Sequence, residues 1–132
     1  MRTVRIAQVV SLLTTDEMSR YGLTDMGSYL AAADICHRHF PIQDYGVPDD
    51  DVAFHALVDA LAADIRAGQN VHVHCAAGIG RSGLVSVGVL MQLGVDLTVA
   101  RDHVSRVRGC NVPETAGQEH YLAAFESRLR GP

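Results

Sequence analysis

The sequence predicts an α/β protein: a central, mostly parallel sheet flanked by helices, with an anion-gripping loop between a strand and a helix. Three observations lead there. Short β-branched runs alternate with longer amphipathic stretches along the 132 residues, the pattern of strands joined by crossover helices. Glycines, prolines and capping residues punctuate the boundaries. Residues 71–83 (VHVHCAAGIGRSG) run from a strand through a glycine loop into an apolar helix, and ligands in open α/β sheets bind at the carboxyl ends of strands.

Residues 4–13 (VRIAQVVSLL) hold a β-branched apolar run and read as the first strand. Thr14 with Glu17 three residues on is a capping box, so a short helix should start there and stop near Gly22. Residues 24–34 read as a second helix whose closing alanines would pack under the sheet. Residues 35–42 (ICHRHFPI) alternate as a strand, with Pro41 near its end. A polar loop, residues 43–51 (QDYGVPDDD), leads into a helix over 51–67. Its aspartates supply an N-cap, Phe54, Leu57, Val58, Leu61 and Ile65 form its apolar stripe, and Gly68 ends it. The strand 71–74 and the loop come next. Residues 84–93 are apolar nearly all round, as expected of a central buried helix. Gly94 stops it, and Asp96 caps the next helix, which runs to about Arg108. Thr115 and Gln118 form a second capping box, for a terminal helix to about Leu129.

Length sets one compact domain over residues 1–132 with a single core. Hydrophobic content of 48% and charged content of 20% are ordinary for a globular protein. A net charge of −4 argues against nucleic acid or anionic membrane as partners. No apolar run is long enough to span a bilayer, and no signal peptide is evident. Three cysteines without disulfide or zinc spacing suit a reducing cytoplasm.

The loop has a chemical reading. Cys75 sits where the strand ends, and Arg81 and Ser82 open the helix. The unpaired N–H groups and positive dipole end of that helix favour an anion in the loop and the thiolate of Cys75. Gly78 and Gly80 permit close backbone approach, so N–H groups from Ala76, Ala77, Gly78, Ile79, Gly80 and Arg81 can converge on a phosphate. The Arg81 guanidinium can hold two phosphate oxygens in a fork. Ser82 can hydrogen-bond the sulfur and make it a better leaving group, and His74 can order the loop from behind. A buried structural cysteine before a glycine turn is the plain alternative. Six specified positions, His74, Cys75, Gly78, Arg81, Ser82 and Gly83, arise together by chance on the order of a few times per million chains of this size.

On these residues the stretch resembles the signature loop of the cysteine-dependent protein phosphatases: His-Cys, five residues, Arg, then Ser or Thr. AAGIGRSG is close to the tyrosine-specific wording, while the chain as a whole is similar to the compact dual-specificity members. The resemblance covers residues 9–125 and implies a protein-tyrosine-phosphatase-like fold. It also implies a general acid. Pro41, Ile42, Gln43, Asp44 and Pro48 match the family's acid segment, so Asp44 becomes the proton donor, where the residues alone read as a turn-forming aspartate. Asp49 is the fallback. For Gln118 the family role is placing water near the site, and the capping role is the local reading.

The expected function is a metal-independent phosphatase acting on phosphotyrosyl proteins, and on phosphoseryl or phosphothreonyl ones, through a cysteinyl-phosphate. No cofactor is called for. Metal at His37 and His39 lacks a third ligand. An inositol-phosphate or phosphoinositide phosphatase is the alternative within the class, although Ala76, Ala77 and Ile79 stand where such relatives place lysines. A phosphate-binding module without turnover and an arsenate reductase are further alternatives. The partner is a phosphorylated protein. Family domains usually carry another strand before residues 4–13, so a short sheet edge and self-association along it are expected. Cys36 reads as a packing residue, with a disulfide to Cys75 as its alternative. Arg101, Arg106 and Arg108 read as a solvated basic face, and Cys110 as a loop residue.

Overall fold

A computed structural model describes residues 5–76 and 80–131. The elements, in order, are β1 (Ile6–Ser11), α1 (Thr15–Arg20), α2 (Met26–Ala32), β2 (Cys36–His39), α3 (Asp51–Arg66), β3 (Asn70–His74), α4 (Gly80–Gln92), α5 (Leu97–Arg108) and α6 (Ala116–Arg130). The strands form one sheet in the order β2-β1-β3, with both pairings parallel. Val9 faces His37 on one side and His72 on the other, and Ser11 faces His39 and His74.

This register sorts the sheet into two faces, because alternate side chains on a strand point to opposite sides. Val10 and Leu12 join Val71 and Val73 on the main core, against Phe54, Leu57, Val58 and Leu61 of α3 and the apolar side of α4. Val9, Leu13 and Met18 are buried on the other face, where Ser11 Oγ donates to Met18 Sδ at 3.5 Å. That face also carries His37 and His39, stacked with centroids 6.4 Å apart, and His72 and His74, stacked at 6.1 Å.

Helix α4 lies at the centre, touching α3, α5, α6 and β3. Leu84, Val85, Val87, Val89 and Met91 are all buried, so three valines remain helical because packing outweighs their weak propensity. Two glycines let the neighbours come close. A Cβ on Gly83 would overlap the Val112 side chain, and one on Gly88 would sit 2.9 Å from Phe54 Cζ. In an open helix, Gly→Ala gains about 0.5–1 kcal/mol, whereas overpacking a core costs about 1–3 kcal/mol. Gly83→Ala is therefore expected to reduce stability by about 1–2 kcal/mol in urea unfolding. A gain would show that Val112 moves aside freely.

Several expectations need correcting. The alanines closing α2 do not pack under the sheet: no residue of α2 is buried, and Tyr29 is 74% exposed. Ile65 falls outside the buried stripe of α3 at 39% exposure. Asp96 occupies the N-cap of α5 but makes no side-chain cap. It binds Arg130 Nη2 at 3.1 Å, while Glu126 Oε2 from α6 accepts the Leu97 N–H at 3.2 Å. The second strand stops at His39, short of the residues 35–42 expected. Phe40 and Ile42 still donate to the Ser11 and Leu12 carbonyls, but Pro41 between them has no N–H to continue the ladder. Cys36 is exposed, not packed. It pairs in register with Gln8 at the start of the sheet, whereas Cys75 follows His74 at the far end. Four residues of strand rise put roughly 13 Å of sheet between them, too far for a disulfide.

Candidate active site

Strand β3 delivers Cys75, which is half-buried and packs against the main core, while His74 lies on the opposite face. The His74 backbone oxygen accepts the Leu12 N–H at 3.0 Å, tying this strand end to β1. Burial, then the neighbouring His72 and His37, lowers the pKa of His74. Ala76 is exposed, and Ala77, Gly78 and Ile79 lie outside the described residues. Of the expected anion nest, the description therefore includes Ala76, Gly80 and Arg81.

Arg81 is 2% exposed at the start of α4. Its guanidinium has five N–H groups in a fixed fork. Nη1 donates to Glu17 Oε1 at 2.6 Å and to the Ile42 carbonyl at 2.8 Å, and Nη2 donates to Glu17 Oε2 at 3.0 Å. Glu17 thus takes the Nη1–Nη2 edge in bidentate fashion. Among the described residues no hydrogen bond is made to the Nε–H or the second Nη2 hydrogen, and these form an edge that can grip two oxygens of a phosphate. Arg81 pulls the carboxyl of Glu17 down to about 2, against the loss of hydration that would raise it. Burial opposes the charge on Arg81. Hydrogen bonding and charge from Glu17, with Asp44 and Cys75 adding to them, outweigh it and raise its pKa.

The sequence assigns Glu17 only to a capping box. That box forms, with Thr14 N–H donating to Glu17 Oε1 at 3.0 Å and Glu17 N–H to Thr14 Oγ1 at 3.3 Å. The same carboxylate reaches Arg81, 64 residues away. Local spacing holds no signal for that second contact.

Asp44 is 57% exposed, and its Oδ1 lies 3.5 Å from Arg81 Nη2. It sits in a turn closed by the Gly46 N–H to the Gln43 carbonyl at 2.8 Å. Tyr45 adopts φ +62 there, a conformation costing a side-chain-bearing residue about 1–2 kcal/mol. The glycine is needed one place later, where a Cβ on Gly46 would come within 2.9 Å of the Gln43 oxygen. Ser82 is fully buried beside Arg81, and its hydroxyl has no hydrogen-bond partner among the described residues. The expected bond from Ser82 to Cys75 is not present.

Gln118 caps α6 as expected, its N–H donating to Thr115 Oγ1 at 3.1 Å. It is also fully buried and reaches the Asp44 turn, Nε2 donating to the Gly46 carbonyl at 3.0 Å. The structure therefore brings Cys75, Arg81, Ser82, Asp44 and Gln118 to one end of the sheet and adds Glu17. Arg101 lies on α5 and approaches Glu119 Oε1 at 3.8 Å. No group of three or more His, Cys, Asp or Glu among the described residues is arranged to hold a metal ion.

Comparison with known proteins bears on the fold and the family. In Rattus norvegicus, cyclin-dependent kinase inhibitor 3 is 29% identical over 126 residues, 94% of this chain and 59% of the relative. The Homo sapiens protein of that name is 26% identical over 131 residues, 98% of this chain and 61% of the relative. The chain thus spans less than two thirds of the length of these relatives. A kinase associated phosphatase, crystallised with serine at its catalytic-site cysteine, matches with a TM-score of 0.86 at 26% identity, covering 96% of this chain and 72% of that one. Tk-PTP in the active form matches with a TM-score of 0.80 at 29% identity, covering 93% and 80%. These likenesses establish the phosphatase-like α/β fold that the motif led us to expect. The family model of cyclin-dependent kinase inhibitor 3 (CDKN3) matches residues 1–103, and the chain belongs to that family.

Proposed function

We propose that this chain is a metal-independent protein phosphatase that hydrolyses phosphotyrosyl substrates, and phosphoseryl or phosphothreonyl ones, through a cysteinyl-phosphate. One observation carries the reading. Arg81 is clamped by Glu17 along its Nη1–Nη2 edge, and the Asp44 carboxyl lies 3.5 Å from Nη2, so arginine and acid meet at the end of the sheet that carries Cys75.

In the first step the Cys75 sulfur attacks phosphorus, the ester P–O bond breaks, and Asp44 gives its proton to the departing oxygen. Arg81 holds the charge that gathers on the transferring oxygens. In the second step a water attacks phosphorus and gives a proton to the Asp44 carboxylate. The P–S bond breaks, and its electron pair returns to sulfur, where the Ser82 hydroxyl can donate to it. Relatives named as kinase inhibitors or kinase-associated support a phosphorylated protein as partner. Three free cysteines fit a reducing compartment, so cytoplasmic residence is part of the proposal.

The test is hydrolysis of p-nitrophenyl phosphate and of a phosphotyrosyl peptide with a chelator present. Turnover should persist; loss to the chelator would point to a metal enzyme. Asp44→Asn should slow the peptide roughly 10²-fold or more, and p-nitrophenyl phosphate much less, because a good leaving group needs little protonation. Equal rates for Asp44→Asn and wild type on both substrates would remove Asp44 from the mechanism.

A further inference from the structure

Among the described residues, the Gln118 amide makes three hydrogen bonds. Oε1 accepts the Glu114 N–H at 3.1 Å and the Thr115 N–H at 3.3 Å, which fills its two lone pairs. Nε2 donates to the Gly46 carbonyl at 3.0 Å. The two backbone donors on one side and the carbonyl on the other fix which way the amide points. The same amide lies against the first residue of α4: a Cβ on Gly80 would stand 3.2 Å from both Nε2 and Oε1. One side chain therefore touches the first turn of α6, the exit of the signature loop and the turn bearing Asp44.

That turn is suspended between two carbonyls. Arg81 holds Ile42 from one end, and Gln118 holds Gly46 from the other. Asp44 itself is more than half exposed, and among the described residues its side chain is held only by the 3.5 Å approach to Arg81. Its place over the site depends on those two anchors. We propose that Gln118 is a positioning residue for the general acid, holding the Asp44 turn against the start of α4 through the Gly46 carbonyl. This rests on Asp44 being the acid. It differs from a water-placing role in the group that acts, because it uses the N–H that the Gly46 carbonyl accepts.

The experiment measures kcat/KM on a series of aryl phosphates whose leaving groups range from weakly to strongly acidic phenols. The enzymes are wild type, Gln118→Glu, Gln118→Met, Asp44→Asn and the Gln118→Glu/Asp44→Asn double variant. Gln118→Glu keeps the oxygen that caps α6 and loses the donor to Gly46. Gln118→Met keeps the volume and adds no charge beside Glu114, so it serves if the glutamate variant unfolds. Both should lose about tenfold on the poorest leaving group and less than twofold on the best. The double variant should be no slower than Asp44→Asn, since both changes disable one function. A loss of the same size across the series would overturn the proposal, as would a burst of phenol followed by slow turnover, or full additivity with Asp44→Asn. If Asp44→Asn shows no leaving-group dependence, the general-acid reading fails, and the positioning role fails with it.

Discussion

Cys75→Ser is expected to abolish turnover while leaving oxyanion binding nearly intact. A serine hydroxyl at this place is a weak nucleophile without a base to deprotonate it. His74 is no substitute, because it lies on the opposite face of the sheet and stacks on His72. Loss of a catalytic nucleophile costs on the order of 10⁴–10⁶ in kcat, so the variant should show no measurable rate on p-nitrophenyl phosphate. The Arg81 fork and the start of α4 are untouched, so tungstate or inorganic phosphate should bind within a fewfold of wild type by calorimetry. Residual turnover above one part in a thousand would mean that sulfur is not the nucleophile. Lost binding would mean that the substitution had disturbed the loop.

The second large effect is expected for Glu17→Gln. Glutamine keeps an oxygen for the Thr14 cap, so α1 retains its local start. Arg81, at 2% exposure, loses its countercharge. Breaking a buried pair by removing one partner costs about 3–5 kcal/mol. Oxyanion affinity and kcat/KM should fall as well, because the guanidinium loses the two hydrogen bonds from Glu17 that fix its orientation.

The pH dependence gives this prediction its sign. Glu17 has its carboxyl lowered from 4.5 to about 2 in the folded protein. A lowered folded value stabilises fully above the unfolded value, and the contribution is lost as pH falls through the folded one. The 2.5-unit difference corresponds to about 3 kcal/mol at neutral pH. The gap between wild type and Glu17→Gln in urea unfolding should thus be largest above about pH 5 and shrink between about pH 4.5 and 2. A gap that stays constant over that window would mean that the Arg81 pair contributes nothing to folding.

Much of this site was legible because it is written in contiguous residues. The stretch from His74 to Gly83 specifies strand, nucleophile, arginine and helix together, so its meaning survives without a structure. The two capping boxes were legible for the same reason, with partners three residues apart. They also concealed the most informative contacts. Glu17 and Gln118 each satisfied a local rule, and nothing in the spacing showed that each side chain has a second partner, 64 and 72 residues away. The exposed alanines of α2 went astray through the opposite weakness. Small apolar residues are equally at home in a core and on a surface helix, so composition could not decide. Asp96 failed as a cap because Glu126 of α6 occupies the helix start that its own side chain would have served.

The clamp on Arg81 also bears on when conformational freedom is given up. A long arginine side chain ordered only on ligand binding would subtract about 0.5–1.5 kcal/mol from affinity. Here three hydrogen bonds immobilise it before any phosphate arrives. The entropic penalty falls on folding, where a buried core of apolar side chains can absorb it. Binding then meets a group already oriented. Oxyanions should gain affinity from that rigidity, and the folded state should gain little further order from them.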